Sequence, residues 1–363
     1  MLDIKFKLFP GHTSKRDWMR FSSLEVLFWN ITYKCNFNCS ICFTDAPKKY
    51  PKELSTNEAK NLIDMAAREG VRDIIISGGE PFSRPDIIEI LSYMKKARIT
   101  TRIATNGSLL DDSMLKVLKE KTSVKSFQVS LDTLDPDLYA SFHNVDKGML
   151  SKVLDILPLI KEQGFHTTIS TRLTPETLPG MPELLDFASK EGMATFTVHY
   201  PLLVGREQGA YSQEMNFLSL LSPVFDKFLS LKKKWLIEMY IPWAQYHPVI
   251  QKLAHETDII YCGCSAGRNR LTVNPGGDVS LCVCFDVKEE YLGNVKTDSI
   301  KDIFENSKIA QIMKNPVKFS ICEDCENVAI CGGGCRVAAY VLSGKIDGQD
   351  SSCPVWKEKN RSS

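Results

Sequence analysis

The chain has 363 residues, with 45 Lys and Arg against 44 Asp and Glu, 43% hydrophobic and 25% charged residues. That length is too great for one small domain and suits a large α/β unit with a smaller appendage. A formal charge of +1 gives no electrostatic case for nucleic acid or an anionic membrane as partner. No stretch nears the ~20 apolar residues of a membrane span. The start, residues 1–15, has no long apolar segment followed by small residues, so a cytoplasmic protein without an export signal is expected.

Residues 1–23 read as an N-terminal extension. From 24 to 200, short β-branched runs alternate with amphipathic stretches. The pattern predicts strands at 24–32, 72–77, 101–105, 126–131, 166–172 and 194–200. Helices are predicted at 55–69, 84–96, 111–119, 149–163 and 180–191. Ser55 and Thr56 with Glu58 following, and Asp111 ahead of Met114 and Leu115, are helix-start signals. Gly70, Gly164 and Gly192 stand where helices hand over to strands. Six strand–helix repeats predict parallel strands with helices outside, as an incomplete barrel or an open sheet, with chemistry at the C-terminal strand ends. Residues 201–260 hold Pro201, Pro223, Pro242 and Pro248 among apolar runs such as 217–231. They read as a helical bridge without a chemical motif. Residues 261–363 form a separate, cysteine-rich unit.

The twelve cysteines are unevenly placed: three near the start, none between Cys42 and Cys262, and nine beyond. A chain of this size, with no export signal, does not need disulfides for a core, and clustering with such a gap fits metal sites instead. Cys35-x3-Cys39-x2-Cys42 lies just after the first predicted strand. Three thiolates in one loop can hold a cubane iron–sulfur cluster and leave its fourth iron open, since such a cube normally takes four cysteines. A zinc site completed by a distant ligand is the alternative. Ser77-Gly78-Gly79-Glu80-Pro81 follows the second strand, where two glycines allow close backbone approach and a carboxylate can accept from an ammonium group.

This CxxxCxxC loop followed by Gly-Gly-Glu resembles the radical S-adenosylmethionine (SAM) superfamily. The resemblance implies a partial (β/α)6 TIM-type barrel over 24–200, with Cys35, Cys39 and Cys42 on a 4Fe-4S cluster whose open iron binds SAM. Reductive cleavage would give methionine and a 5′-deoxyadenosyl radical, which takes a hydrogen atom from the substrate. Gly78, Gly79 and Glu80 would hold the SAM amino group. Asn106, Ser130 and Asp132 at the ends of the third and fourth strands would line the SAM pocket, and Arg172 on the fifth would meet the SAM carboxylate. The plainer alternatives are a turn at Asn106-Gly107, a helix cap at Asp132 and a structural arginine at Arg172. One departure is Ile41 where the family has an aromatic residue, with Phe43 just after the third cysteine instead.

The C-terminal field contains Cys322-x2-Cys325-x5-Cys331-x3-Cys335, then Cys353; upstream, Cys264 is followed by Gly277 and Cys282. The spacing and order resemble the seven-cysteine SPASM pattern. The resemblance implies two auxiliary 4Fe-4S clusters, one on Cys322, Cys325, Cys331 and Cys353, the other on Cys264, Cys282 and Cys335 with Cys262 as candidate fourth ligand. Cys284 is left unassigned, and a zinc ribbon over Cys322–Cys335 is the alternative. Val283 stands where sulfatase maturases of this family carry Asp, which counts against that branch. The resemblance points towards a maturase that oxidises or crosslinks a peptide or protein. A small-molecule substrate, such as a tetrapyrrole of a haem pathway or an antibiotic sugar, is the alternative, supported by the shortness of the segment before the barrel. Expected partners are an electron donor such as flavodoxin or ferredoxin and, for a peptide, a separate recognition protein. His143, His199, Tyr200 and Asp286 are further pocket candidates. A non-enzymatic iron–sulfur or zinc-stabilised binding module remains the other class.

Overall fold

The computed structural model describes residues 5–8, 23–47, 52–193, 195–199, 204–207, 236–240, 260–261, 264–314, 322–323, 333–350 and 353. The first predicted strand forms as β2 (Val26–Thr32), after a short β1 (Lys5–Leu8). Then come α1 (Thr56–Arg68), β3 (Asp73–Gly78), α2 (Ile87–Lys96), β4 (Thr100–Thr105), α3 (Asp112–Lys121) and β5 (Val124–Ser130). The repeat continues through α4 (Pro136–His143), α5 (Gly148–Glu162), β6 (His166–Arg172), α6 (Met181–Lys190) and β7 (Thr195–His199). The six predicted strands are therefore β2 to β7. The five predicted helices form within a few residues of their expected bounds, and α4 is an addition.

The start signals work as the sequence suggests. Ser55 and Glu58 make a reciprocal capping box on α1, and the Asp111 side chain accepts from Met114 N, 2.7 Å, at the head of α3. Alternation in the strands sorts residues between two faces. Leu27, Trp29 and Ile31 of β2 pack with Ile74, Ile76, Ile103, Phe127 and Phe196 and with buried helix residues such as Ile63, Leu91 and Leu118. The other face of the sheet carries polar side chains, including Asn30, Gln128, Ser170 and Thr197.

One sheet of twelve strands runs β12 (Gly293–Asn294), β11 (Asp278–Ser280), β10 (Arg270–Val273), β2, β3, β4, β5, β6, β7, β8 (Leu236–Tyr240), β1, β9 (Ile260–Tyr261) among the described residues. From β10 to β9 every neighbouring pair is parallel, as a TIM-like α/β fold requires. β8 and β9 come from the stretch expected to be a helical bridge, and they flank β1 at one end. The run 217–231 lies outside the described residues. At the other end β10 pairs with β2, followed by antiparallel β11 and β12. Helices α7 (Ile300–Asn306), α8 (Lys308–Lys314) and α9 (Arg336–Ser343) follow. A second core of Ala266, Leu281, Phe285, Met313, Val337 and Ile346 sits there. Among the described residues no helix is long and apolar enough to cross a membrane.

Candidate active site

Parallel strands put their C-terminal ends on one edge of the sheet, and the Cys35–Cys42 loop leaves that edge directly after β2. All three thiols are half-buried and free of disulfides. Burial, first, pushes the Cys35 thiol up to about 12, and burial likewise raises Cys39; the neighbouring thiols add to both. Cys39 Sγ lies 3.1 Å from His143 Nδ1, and Cys42 Sγ lies 3.4 Å from Thr44 Oγ1.

The loop is held from several strand ends. Ser40 N donates to Phe142 O at 2.8 Å and Asn38 N to His143 O at 3.4 Å, so the end of α4 grips it. Asn36 Nδ2 donates to Ser108 Oγ at 2.8 Å, and Asn106 Nδ2 to Asn36 Oδ1 at 3.0 Å. A short turn, Gly205–Glu207, also binds the loop: Arg206 N donates to Cys42 O at 2.9 Å, and its guanidinium reaches Cys39 O, Asp45 and Ala46 O.

The Gly-Gly-Glu segment runs against the residues leading into Cys35. Gly79 N donates to Thr32 O at 2.7 Å and Glu80 N to Lys34 O at 2.8 Å. A Cβ at Gly78 would overlap Thr32 O, and one at Gly79 would overlap Lys34 O, so only glycine permits this approach. The Glu80 side chain is buried, and burial pushes its carboxyl up to about 7. Its Oε1 accepts from Thr105 Oγ1 at 2.8 Å and Phe82 N at 3.2 Å, and its Oε2 from Asn106 N at 2.8 Å. Glu80 thereby ties the end of β3 to the end of β4.

Asp132 is also buried; Oδ1 accepts from Arg172 N at 2.5 Å and Oδ2 faces His143 Nε2 at 3.3 Å. A chain of contacts, Arg172–Asp132–His143–Cys39, thus joins β6, the β5 end, α4 and the Cys35–Cys42 loop. The Arg172 guanidinium lies 5.7 Å from the Phe43 ring, a cation–π contact with the residue after Cys42. Ser130 closes β5, half-buried beside Ser170 of β6. His199 ends β7; burial, then the charge of Arg172, lowers it to about 3, so it is a neutral imidazole. Gln128 Nε2 lies 3.2 Å from His199 Nε2 and 2.9 Å from Ser170 Oγ. Tyr200 lies outside the described residues.

Asp286 accepts from Tyr33 OH at 2.8 Å, from Tyr291 OH, and from Asn274 Nδ2 at 3.3 Å. Beyond it Cys264, Cys282 and Cys335 pack against the second core. Cys335 is raised by burial and then by Asp350 and the other two thiols, which places the three within electrostatic reach of one another. Cys284 hydrogen-bonds to Cys282 and, ahead of Arg270, pulls its thiol down. Cys322 and Cys353 are described; Cys262, Cys325 and Cys331 lie outside the described residues.

Three clustered thiols on a loop cradled by glycine backbone suit the cluster and SAM implied by the motif. Among the described residues no three metal-ligating side chains close on one point as a single ion requires, whereas a four-iron cube takes each thiolate at a separate corner. Sequence reasoning missed Arg206 and the His143–Cys39 contact. The signal available for the first was a Gly-Arg pair just beyond a predicted strand end.

Two family models match: "Radical SAM superfamily" over residues 29–188 and "Iron-sulfur cluster-binding domain" (SPASM) over 262–326. The AdoMet-dependent heme synthase of Methanosarcina barkeri is 26% identical over 91% of this chain and 96% of its own length. The mycofactocin maturase MftC of Mycobacterium tuberculosis is 27% identical over 90% and 82%. Among solved structures, Streptococcus suis SuiB with its precursor peptide SuiA has a TM-score of 0.74 at 20% identity, covering 92% of this chain and 76% of that one. AdoMet-bound anSMEcpe has a TM-score of 0.66 at 18% identity, covering 92% and 95%; both likenesses concern the fold. From motif, fold and family models together, the chain is an enzyme of the radical SAM superfamily with a C-terminal SPASM iron–sulfur domain.

Proposed function

We propose that the chain cleaves SAM reductively at a four-iron cluster held by Cys35, Cys39 and Cys42, and uses the radical to oxidise or crosslink a peptide or protein side chain. The observation that carries this reading is the loop itself: three free thiols after β2, bonded through backbone to the Gly-Gly-Glu segment and through Asn36 to the end of β4. When bound, the cluster and SAM supply an electron and the 5′-deoxyadenosyl radical that removes a substrate hydrogen atom. The chain's residues position and exclude. Gly78 and Gly79 would offer backbone to the SAM ammonium, while Asn106, Ser130 and Arg172, at or just past the ends of β4, β5 and β6, would line the pocket, with Arg172 meeting the carboxylate. Glu80 and Asp132, both buried and bonded within the protein, set the geometry of those strand ends. Cys322, Cys325, Cys331 and Cys353 would hold one auxiliary four-iron cluster, and Cys264, Cys282 and Cys335 a second with Cys262 as candidate fourth ligand. Such clusters would supply an acceptor for the electron left on the substrate, and flavodoxin or ferredoxin would supply the first electron. The setting is the cytoplasm.

A peptide substrate draws support from the similarity to a mycofactocin maturase and from the shared fold of SuiB, solved with a precursor peptide. A tetrapyrrole substrate is the second reading, favoured by the match over 96% of a heme synthase. Anaerobic reconstitution should give about twelve irons per chain, as three four-iron clusters require. SAM and a strong reductant should then yield 5′-deoxyadenosine, abolished in the Cys35/Cys39/Cys42→Ala chain. Stoichiometric zinc with no SAM cleavage would sink the reading. Faster turnover with a peptide encoded beside the gene, or with an iron porphyrin, separates the two substrates.

A further inference from the structure

A loop that carries three thiols cannot borrow its geometry from helix or sheet, so its backbone carbonyls must be satisfied from outside. The Gly205–Glu207 turn satisfies three of them, with Arg206 N donating to Cys42 O at 2.9 Å, Nε to Cys39 O at 2.5 Å and Nη2 to Ala46 O at 2.6 Å, and Nη1 adds a bond to the Asp45 carboxylate at 3.0 Å. The planar guanidinium makes three of these bonds from three separate nitrogens, a spread that the single nitrogen of an ammonium does not have. Gly205, at φ +60°, has no room for a side chain, because a Cβ would meet the carbonyl oxygens of Cys42 and Phe43. We propose that Arg206 is a positioning residue for the cluster: it fixes the backbone of Cys39 and Cys42 so that the three thiols present together, and it sets a cation beside them. The proposal rests on Cys35, Cys39 and Cys42 being the cluster ligands.

The guanidinium sits within hydrogen-bond distance of the Cys39 and Ala46 carbonyl oxygens, so its positive charge stands directly beside the thiol-bearing loop. A cation near a cluster favours its reduced, more negative state, so removing it makes reduction harder. Outer partners of metal ligands commonly change metal retention by about 10–100-fold when lost.

The test uses the full chain. Hydrogen exchange on the cluster-free protein should show residues 38–46 exchanging faster in Arg206→Gln and in Gly205→Ala, with β4 and β5 unchanged. After anaerobic reconstitution, both variants should lose iron roughly tenfold faster than the wild type. The redox signal absent from the Cys35/Cys39/Cys42→Ala chain should move to more negative potential in Arg206→Gln and stay near the wild-type value in Arg206→Lys. A purely structural arginine would not separate these two variants. Wild-type exchange and iron retention in Arg206→Gln would overturn the proposal, as would faster exchange spread over the whole barrel. If Arg206→Gln yields no folded chain, Arg206→Lys carries the exchange and iron comparison. A wild type that takes up no iron would sink the cluster reading instead, while exchange on the cluster-free chain still decides whether Arg206 holds the loop.

Discussion

Glu80 is a carboxyl that solvent does not reach, and its proton affinity has consequences for stability. Its value rises from 4.5 to about 7 because burial outweighs the donors Asn106 N, Thr105 Oγ1 and Phe82 N. The folded chain therefore binds this proton more tightly than the unfolded one. The stabilisation is whole below about pH 4.5 and is lost as pH rises through about 7, a span worth roughly 3 kcal/mol. Glu80→Gln removes that dependence but sets an amide NH2 against Asn106 N, costing about 1–3 kcal/mol. Melting the cluster-free chain across pH should show the wild type ahead at pH 5 and the gap narrowing towards pH 8. Parallel curves would mean that Glu80 does not titrate in that range. The Gly-Gly-Glu motif was legible as a site, but this task of its carboxylate was not, because it depends on Thr105 and Asn106 one strand away.

Helix α4 is short, and it carries Phe142 and His143, whose carbonyls and imidazole meet the cluster loop. Its start is fixed by Asp135, which accepts from Asp137 N at 2.8 Å and Leu138 N at 3.1 Å ahead of Pro136. Asp135→Ala should cost about 1 kcal/mol of stability and, by fraying α4, speed iron loss more than an equally destabilising change in α3, such as Asp111→Ala. Equal iron loss in the two would show that α4 does not support the loop. Gly79→Ala should do worse, since its Cβ meets Lys34 O of the backbone and neither chain can yield without moving Cys35. A variant that loads iron normally would contradict that geometry. The repeats β2 to β7 were readable because short β-branched runs, such as Ile74–Ile76, recur between amphipathic helices and bury residues such as Leu27, Trp29 and Ile31. Helix α4, at eight residues, offers too few turns for periodicity, although Asp135-Pro136 is a start signal in plain view. Strands β8 to β12 have two to five residues each; β8, β9 and β10 pair with strands distant in sequence, while β11 and β12 are too short to show a pattern of their own.

At the scale of the whole molecule, the C-terminal cysteine field is built into the barrel sheet. β10 lies beside β2 with Leu271 opposite Leu27 and Val273 opposite Trp29, so the strand that leads to the cluster loop and the strand that follows Cys264 share hydrogen bonds. A polar lock sits above that seam. Asn30 Nδ2 donates to Asn274 Oδ1 at 3.2 Å, and Tyr33, two residues before Cys35, donates to Asp286, four residues after Cys282. The segment leading into Cys35 and the segment between Cys264 and Asp286 are thereby tied to one another through the sheet and these side chains. Asp286→Ala should take the carboxylate from the phenols of Tyr33, which keeps Asn274 Oδ1 at 3.3 Å, and of half-buried Tyr291, at about 1 kcal/mol for each hydrogen bond lost. Hydrogen exchange should then quicken in β10, β11 and residues 32–34 together, while β5 and β6 keep the wild-type rate, because a cooperative unit opens as one. Asp286→Asn, which retains one acceptor, should fall between. Faster exchange in β10 and β11 alone, with residues 32–34 unmoved, would show that Asp286 stabilises only its own segment and that the two segments are tied elsewhere.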